Sequence, residues 1–416
     1  MHTFRTVRSF PPTIRLLLVN QLGIDVGFYL LIPYLSTHLS DDLHLSAAAT
    51  GAILGARQLS QHGLFVVGGT AADRLGAHRV IPFGCAVRTA GFALFAFGDG
   101  VPAALAASVL SGLAGALFYP AVRAYVAEAA ADRKAEAFAL FNVFATTGGL
   151  LGLLLGSVLC LIDFRVTALA AAGVFAVLTV AQLFALPEHR VRPAASTVLR
   201  DWRTALGNHA FLAFALTMSG MSALESQVYL LFTESARRTS GWDGAAALLP
   251  LVGTVANLLL QLRVTALTRL RGGAETWIAP GVLLIGLAFL PPALADAPDT
   301  TTGALATAAR LAPLVLGTLL LHLGVMVAQP PAMELVARYA TDRMTGTYFG
   351  LFYVLSGSVG AACTSGVGWV MDRAADSGRG WLPWVCCAAL GAVSAGAVAV
   401  LQRCRALPTD PAVTYA

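Results

Sequence analysis

The sequence predicts an all-α polytopic membrane protein, with twelve transmembrane helices in two pseudo-symmetric six-helix bundles. Three observations carry that expectation. Of 416 residues, 57% are hydrophobic and only 12% charged, at a mean hydropathy of +0.73, whereas a soluble domain carries about twice that charged share. Apolar runs recur at about 20 residues, the length a helix needs to cross the hydrocarbon core, and twelve of them would use roughly 240 residues. Short motifs also repeat between the two halves. A soluble multidomain enzyme, a disordered chain and a secreted disulfide scaffold are excluded by composition. An outer-membrane barrel is excluded because its strands alternate in polarity.

The first span, 14–37, contains the apolar run Leu16 to Leu35, which is long enough to span and lacks a cleavage site. Spans at 46–70, 79–98, 102–125, 137–160 and 166–186 complete residues 1–186 as an N-terminal bundle. The stretch from Pro187 to His209 carries Arg190, Arg192, Arg200 and Arg203 and reads as a cytoplasmic linker. Spans at 210–233, 244–263, 276–295, 304–329, 347–370 and 381–402 make a second bundle over 210–403, followed by a cytoplasmic tail, 404–416.

The basic residues set the orientation. All but one are arginine, the exception being Lys134, and four arginines (Arg57, Arg88, Arg123 and Arg310) fall within spans. With both termini inside, only Arg165, Arg237, Arg238, Arg373 and Arg379 lie outside, and every other basic residue is cytoplasmic. The positive-inside rule therefore places both termini in the cytoplasm, and the expected location of the multi-pass chain is the cytoplasmic (inner or plasma) membrane. The net charge of +5 belongs to topology and not to a nucleic-acid partner.

The repeats are ordered. Val126-Ala127 and Asp132-Arg133 recur 210 residues later as Val336-Ala337 and Asp342-Arg343; Leu140-Phe141-x-Val143 recurs as Leu351-Phe352-x-Val354. Tyr29-Leu30-Leu31 matches Tyr229-Leu230-Leu231 at an offset of 200. Duplicated six-helix bundles with a site near the midplane describe a secondary transporter.

After the second span comes Gly69-Thr70-Ala71-Ala72-Asp73-Arg74-Leu75-Gly76-Ala77-His78-Arg79. This resembles the signature loop of the major facilitator superfamily, with His78 in place of the first of two closing basic residues. Gly55-Ala56-Arg57-Gln58, Gln61-His62-Gly63, Leu110-Ser111-Gly112-Leu113 and Asp163-Phe164-Arg165 are similar to the MdtH-like multidrug efflux proteins, in the drug:proton antiporter branch. The resemblance implies a latch of Gly69, Asp73, Arg74, Gly76, Arg79 and Arg133, in which Asp73 meets Arg133 and the N-terminal end of the eleventh span near Gly346. Gly148, Gly152 and Gly156 bare one face of the fifth span for close helix packing, and Gly51, Gly55 and Gly63 repeat the pattern on the second. The antiporter motif of the fifth span lacks its characteristic proline, because Leu153 follows Gly152.

Charges at bilayer depth cost at least about 2.5–3.5 kcal/mol each and imply partners or water. Asp25 and Glu225 lie near the centres of the first and seventh spans, again 200 residues apart. We read them as proton-coupling carboxylates, with Glu225 the principal carrier, Asp25 a cation-sensing or secondary proton site and His322 a relay to Glu225. Arg57 and Arg88 form the cavity's charge network and are expected to partner Asp25. Phe28, Tyr29, Phe118, Tyr119, Phe141, Phe144, Tyr229, Phe352 and Tyr353 offer stacking surfaces for a flat apolar ligand.

The resemblance implies export of amphipathic drugs or natural products by proton antiport with alternating access, hence antibiotic resistance. The partners are the bilayer, protons and an amphipathic small molecule, and the family expectation is a monomer. An uptake symporter for a small metabolite is the alternative; a membrane sensor or scaffold is a remote one. No cofactor, metal or enzymatic activity is expected: Ala135 after Lys134 rules out a phosphate loop, and no H-E-x-x-H or G-x-S-x-G occurs. The six cysteines, none in a C-x-x-C, read as small buried hydrophobes.

Overall fold

The computed structural model describes residues 6–98, 100–187, 197–240, 245–270, 274–295, 304–340 and 344–408. Arg5, Arg190, Arg192, Arg271, Asp342 and Arg343 lie outside them, as do residues 188–196 of the expected linker and the end of the tail. Every regular element among the described residues is helical. They are α1 (Pro12–Thr37), α2 (Ala47–Gly63), α3 (Phe65–Leu75), α4 (Ala77–Phe97), α5 (Gly100–Ala129), α6 (Lys134–Cys160), α7 (Phe164–Ala185) and α8 (Val198–Gly207). There follow α9 (His209–Glu225), α10 (Leu231–Ser240), α11 (Ala245–Leu270), α12 (Ala274–Leu287), α13 (Leu290–Leu294), α14 (Ala304–Tyr339), α15 (Thr345–Ser377) and α16 (Leu382–Arg403).

Ten of the described helical stretches are long and apolar enough to cross a membrane. The expected second and seventh spans are instead interrupted, for a local chemical reason. Between α9 and α10 the chain passes through a 3₁₀ turn, Ser226–Val228, where the Ser226 hydroxyl and the Gln227 amide both donate to the carbonyl of Ala223 (2.7 and 3.0 Å). Such side chains compete with the backbone ladder. At the α2–α3 break the Ser60 hydroxyl donates to the Arg57 carbonyl (3.0 Å), and the His62 ring bonds the Gln58 carbonyl (3.0 Å).

Helix starts are chemically marked. Ser46, Asp163 and Asn208 each accept a backbone N–H of the turn they precede, and Pro12 opens α1 where a missing N–H costs nothing. Gly76 closes α3 at φ +88°, a conformation that favours glycine.

The chain forms two compact units, Met1–Gly207 with Val336–Val354, and Asn208–Leu335 with Leu355–Ala416. The first unit's core packs Ile24, Leu31, Cys85, Phe92, Phe118 and Phe175. Within it α1 and α6 lie backbone to backbone. A Cβ on Gly148, Gly152 or Gly156 would run into the carbonyls of Leu22, Val26 and Leu30 respectively. A Cβ on Gly51, Gly55 or Gly63 instead meets nothing within 4 Å among the described residues, so this second glycine face does not show the close backbone contact of the first. In the second unit Phe232 meets Phe289 and Trp384 edge-on at 5.3 and 5.0 Å.

Candidate functional site

Polar residues on apolar helices gather at one place in the first unit. Asp25 on α1 is buried, and its carboxylate accepts a 2.7 Å hydrogen bond from the Gln21 amide one turn earlier. The arginine partner expected for Asp25 is therefore a glutamine. Arg88 and Arg123 act on the carboxylate through space, and among the described residues Asp25 forms no ion pair.

Arg88 on α4 is completely buried. It donates to the Ser111 carbonyl (2.8 Å), and its guanidinium carbon lies 4.7 Å from the Phe118 ring centre and 5.1 Å from that of Phe28. Gly115 on α5 makes this possible, since a Cβ there would press on Arg88 Nη2 and Gln61 Oε1. Arg57 on α2 shares the Phe28 ring at 5.6 Å and donates to Gln61 and Gln58 (3.2 and 2.8 Å). Arg123 on α5 sits over Tyr119, Phe141 and Tyr353 at 5.6, 5.1 and 4.9 Å. Cation–π contacts of this kind strengthen where water is excluded.

The aromatic candidates divide by exposure. Phe118, Phe141 and Phe352 are fully buried and act as packing or as cation platforms. Phe28, Tyr119, Phe144 and Tyr353 keep partial exposure, while Tyr29 and Tyr229 are exposed.

In the second unit Glu225 ends α9 at the helix break and is half-buried. Among the described residues its carboxylate has neither a hydrogen bond nor an ion pair. His322 on α14 bonds the Thr318 carbonyl through Nδ1 (2.9 Å), with its ring against Gly253; no hydrogen bond joins it to Glu225 among the described residues. A cavity of about 370 Å³ is lined by Tyr229, Glu234, Arg237, Arg238 and Asp372.

The expected latch is built differently from its sequence reading. Asp73 at the end of α3 does not meet Arg133. It accepts from the Gly346 and Thr347 amides (both 2.7 Å) and from the Thr347 hydroxyl (2.6 Å), at the start of α15. Burial pushes the Asp73 carboxyl up to about 7, while those three donors pull the other way. The partial positive charge of the helix N-terminus adds to that pull. A Cβ on Gly69 would strike the Gly346 carbonyl. Arg133 pairs with Glu136 at 2.8 Å, donates to the Ser9 hydroxyl and stacks on Phe10. Arg74 pairs with Asp201 of α8 at 2.5 Å, and Arg79 is exposed.

Residues 17–365 match the model of the Major Facilitator Superfamily. The chain belongs to the major facilitator superfamily. An uncharacterized MFS-type transporter of Mycobacterium tuberculosis is 42% identical over 355 residues, covering 84% of each chain. The multidrug resistance protein MdtH of Aeromonas hydrophila is 29% identical over 392 residues, covering 93% of this chain and 94% of its own. The fold is shared with the crystal structure of the human organic anion transporter TETRAN, at TM-score 0.73 and 18% identity over 93% of this chain and all of that one. As a superfamily member with this fold the protein is a multi-pass membrane transporter.

Two groups of the Asp25 cluster in this superfamily member, Gln21 and Arg123, were not singled out from sequence although a local signal existed. Gln21 lies four residues before Asp25, and Arg123 four residues after Tyr119, so each shares a helix face with its neighbour. That spacing was the available signal.

Proposed function

We propose that the protein exports amphipathic compounds by proton antiport, with Glu225 and Asp25 carrying the protons and His322 as a relay to Glu225. The observation that supports this reading best is Glu225 itself. A half-buried carboxylate at a break in its helix, without a partner among the described residues and expected from the sequence near the centre of a span, supports a reversible proton carrier. Relatives named for multidrug resistance, at 26–29% identity, support efflux over uptake.

On this reading the chain lies in the cytoplasmic membrane as a monomer with both termini inside. The bonds from α15 to Asp73 hold the transporter closed toward the cytoplasm, and their release accompanies opening on that side. Protonation of a carboxylate from outside drives substrate release, and deprotonation toward the cytoplasm resets the site. Each elementary charge is worth about 2.3 kcal/mol per 100 mV, enough to drive uphill export.

The test is substrate-induced pH change in inverted membrane vesicles energised by respiration. Substrate-dependent proton release from the lumen in wild type, absent in Glu225→Gln, is expected. Wild-type vesicles that accumulate substrate without moving protons would rule antiport out.

A further inference from the structure

The charge balance of the buried site in the first unit runs against a cationic substrate. Arg57, Arg88 and Arg123 gather there on neighbouring rings, and Asp25 is the carboxylate that acts on Arg88 and Arg123. That leaves two positive charges uncompensated, and Asp25 spends a hydrogen bond on Gln21 and none on an arginine. The arginines also keep donor capacity in reserve. Arg57 Nε, Arg88 Nε, Arg88 Nη1 and Arg123 Nη1 are buried without a hydrogen-bond partner. Guanidinium N–H groups in a dry site seek an acceptor, and a planar anion such as a carboxylate, sulfonate or phosphate matches their fork.

The walls supply the rest of the recognition. Arg57 and Arg88 share the Phe28 ring, and Arg123 lies between Tyr119 and Tyr353. Phe28, Tyr119, Arg123 and Tyr353 all keep partial exposure, so the cluster is open on that side. An aromatic body would stack there while its anionic group reached the unpartnered nitrogens.

We propose that the Arg57–Arg88–Arg123 cluster binds the anionic group of an aromatic amphipathic substrate, so that the transported class is organic anions. This deepens the transport reading above and rests on it. The competing account is that the arginines are structural, held by their rings and by the hydrogen bonds they already make to Ser111, Gln58 and Gln61.

The test uses two xanthene dyes of similar ring size and opposite charge, fluorescein (anionic) and rhodamine 123 (cationic). Binding to the purified protein in nanodiscs is read by fluorescence polarisation. Fluorescein is expected to bind at least about tenfold tighter. Arg57→Gln and Arg123→Gln should each weaken it by about tenfold, the scale of one charge-assisted hydrogen bond, and Arg123→Lys should recover part of the loss. Asp25→Asn, which removes the opposing charge, should tighten fluorescein binding; a purely structural cluster predicts no such gain. Fluorescein binding no tighter than rhodamine 123, or unmoved by the arginine variants in protein that stays monodisperse, overturns the proposal. Flux in proteoliposomes separates the two readings. Rhodamine 123 exported against a pH gradient, without fluorescein binding, sinks the anion assignment and leaves proton-driven export standing. Arginine-dependent fluorescein binding without gradient-driven flux does the reverse.

Discussion

Asp73 and Thr347 are joined by two hydrogen bonds, from the threonine's amide at 2.7 Å and its hydroxyl at 2.6 Å, across 274 positions of sequence. With the Gly346 amide on the other oxygen, the carboxylate caps the N-terminus of α15 from a different helix. Hydrogen bonds to a charged group contribute about 1.5–3 kcal/mol. Asp73→Asn should therefore speed amide exchange at Gly346 and Thr347 by roughly 10- to 100-fold, because the new amide nitrogen would face donors. Thr347→Val, which loses only the hydroxyl bond, should show a smaller increase. Hydrogen-exchange mass spectrometry of the 344–354 segment reads both, and unchanged exchange in Asp73→Asn would refute the cap.

The α1–α6 seam is set by backbone contact. Gly152→Ala would drive a methyl against the Val26 carbonyl, and overpacking of this kind costs about 1–3 kcal/mol. A lower Tm in detergent is expected. Gly51→Ala is the control, because a Cβ there meets nothing within 4 Å; its Tm should be unchanged or slightly higher.

The helix α8 is tied to the first unit by Trp202, whose indole N–H donates to the Thr70 hydroxyl at 2.8 Å, and by the Asp201–Arg74 pair. Partly exposed ion pairs contribute little, so the indole bond should matter more. Trp202→Phe should increase tryptic cleavage at Arg200 and Arg203, and Asp201→Ala should do so to a lesser degree. Limited proteolysis with timed sampling distinguishes them.

Substrate charge and proton coupling together fix the electrical behaviour. Export of a monovalent anion against one proton moves two charges, so a potential of 100 mV contributes about 4.6 kcal/mol. Fluorescence-monitored flux in proteoliposomes, with the potential clamped by valinomycin and potassium, should accelerate as the potential rises. Flux indifferent to the potential would indicate an electroneutral cycle.

Much of this was legible in the sequence, where a physical signal was local. Apolar run length gave the helices, and a charge inside such a run singled out Asp25, Glu225, Arg57 and Arg88. The break at Glu225 was not read, although Ser226 and Gln227 beside it carry the groups that compete for the Ala223 carbonyl. Arg123 was recognised as lying within a span but not as part of the site, because its ring partner Tyr353 is 230 positions away. The assignment of Arg133 to Asp73 failed for a local reason: Glu136, three residues on, takes the guanidinium through both its oxygens. The true partner, Thr347, carries no charge and so gave no sign in sequence.

The most direct test of proton-driven transport compares two assays of Glu225→Gln in proteoliposomes. One is counterflow, which needs only the alternating site; the other is accumulation driven by an imposed pH gradient. The account predicts that the variant retains counterflow and loses gradient-driven accumulation. Gradient-driven accumulation at the wild-type rate would contradict it.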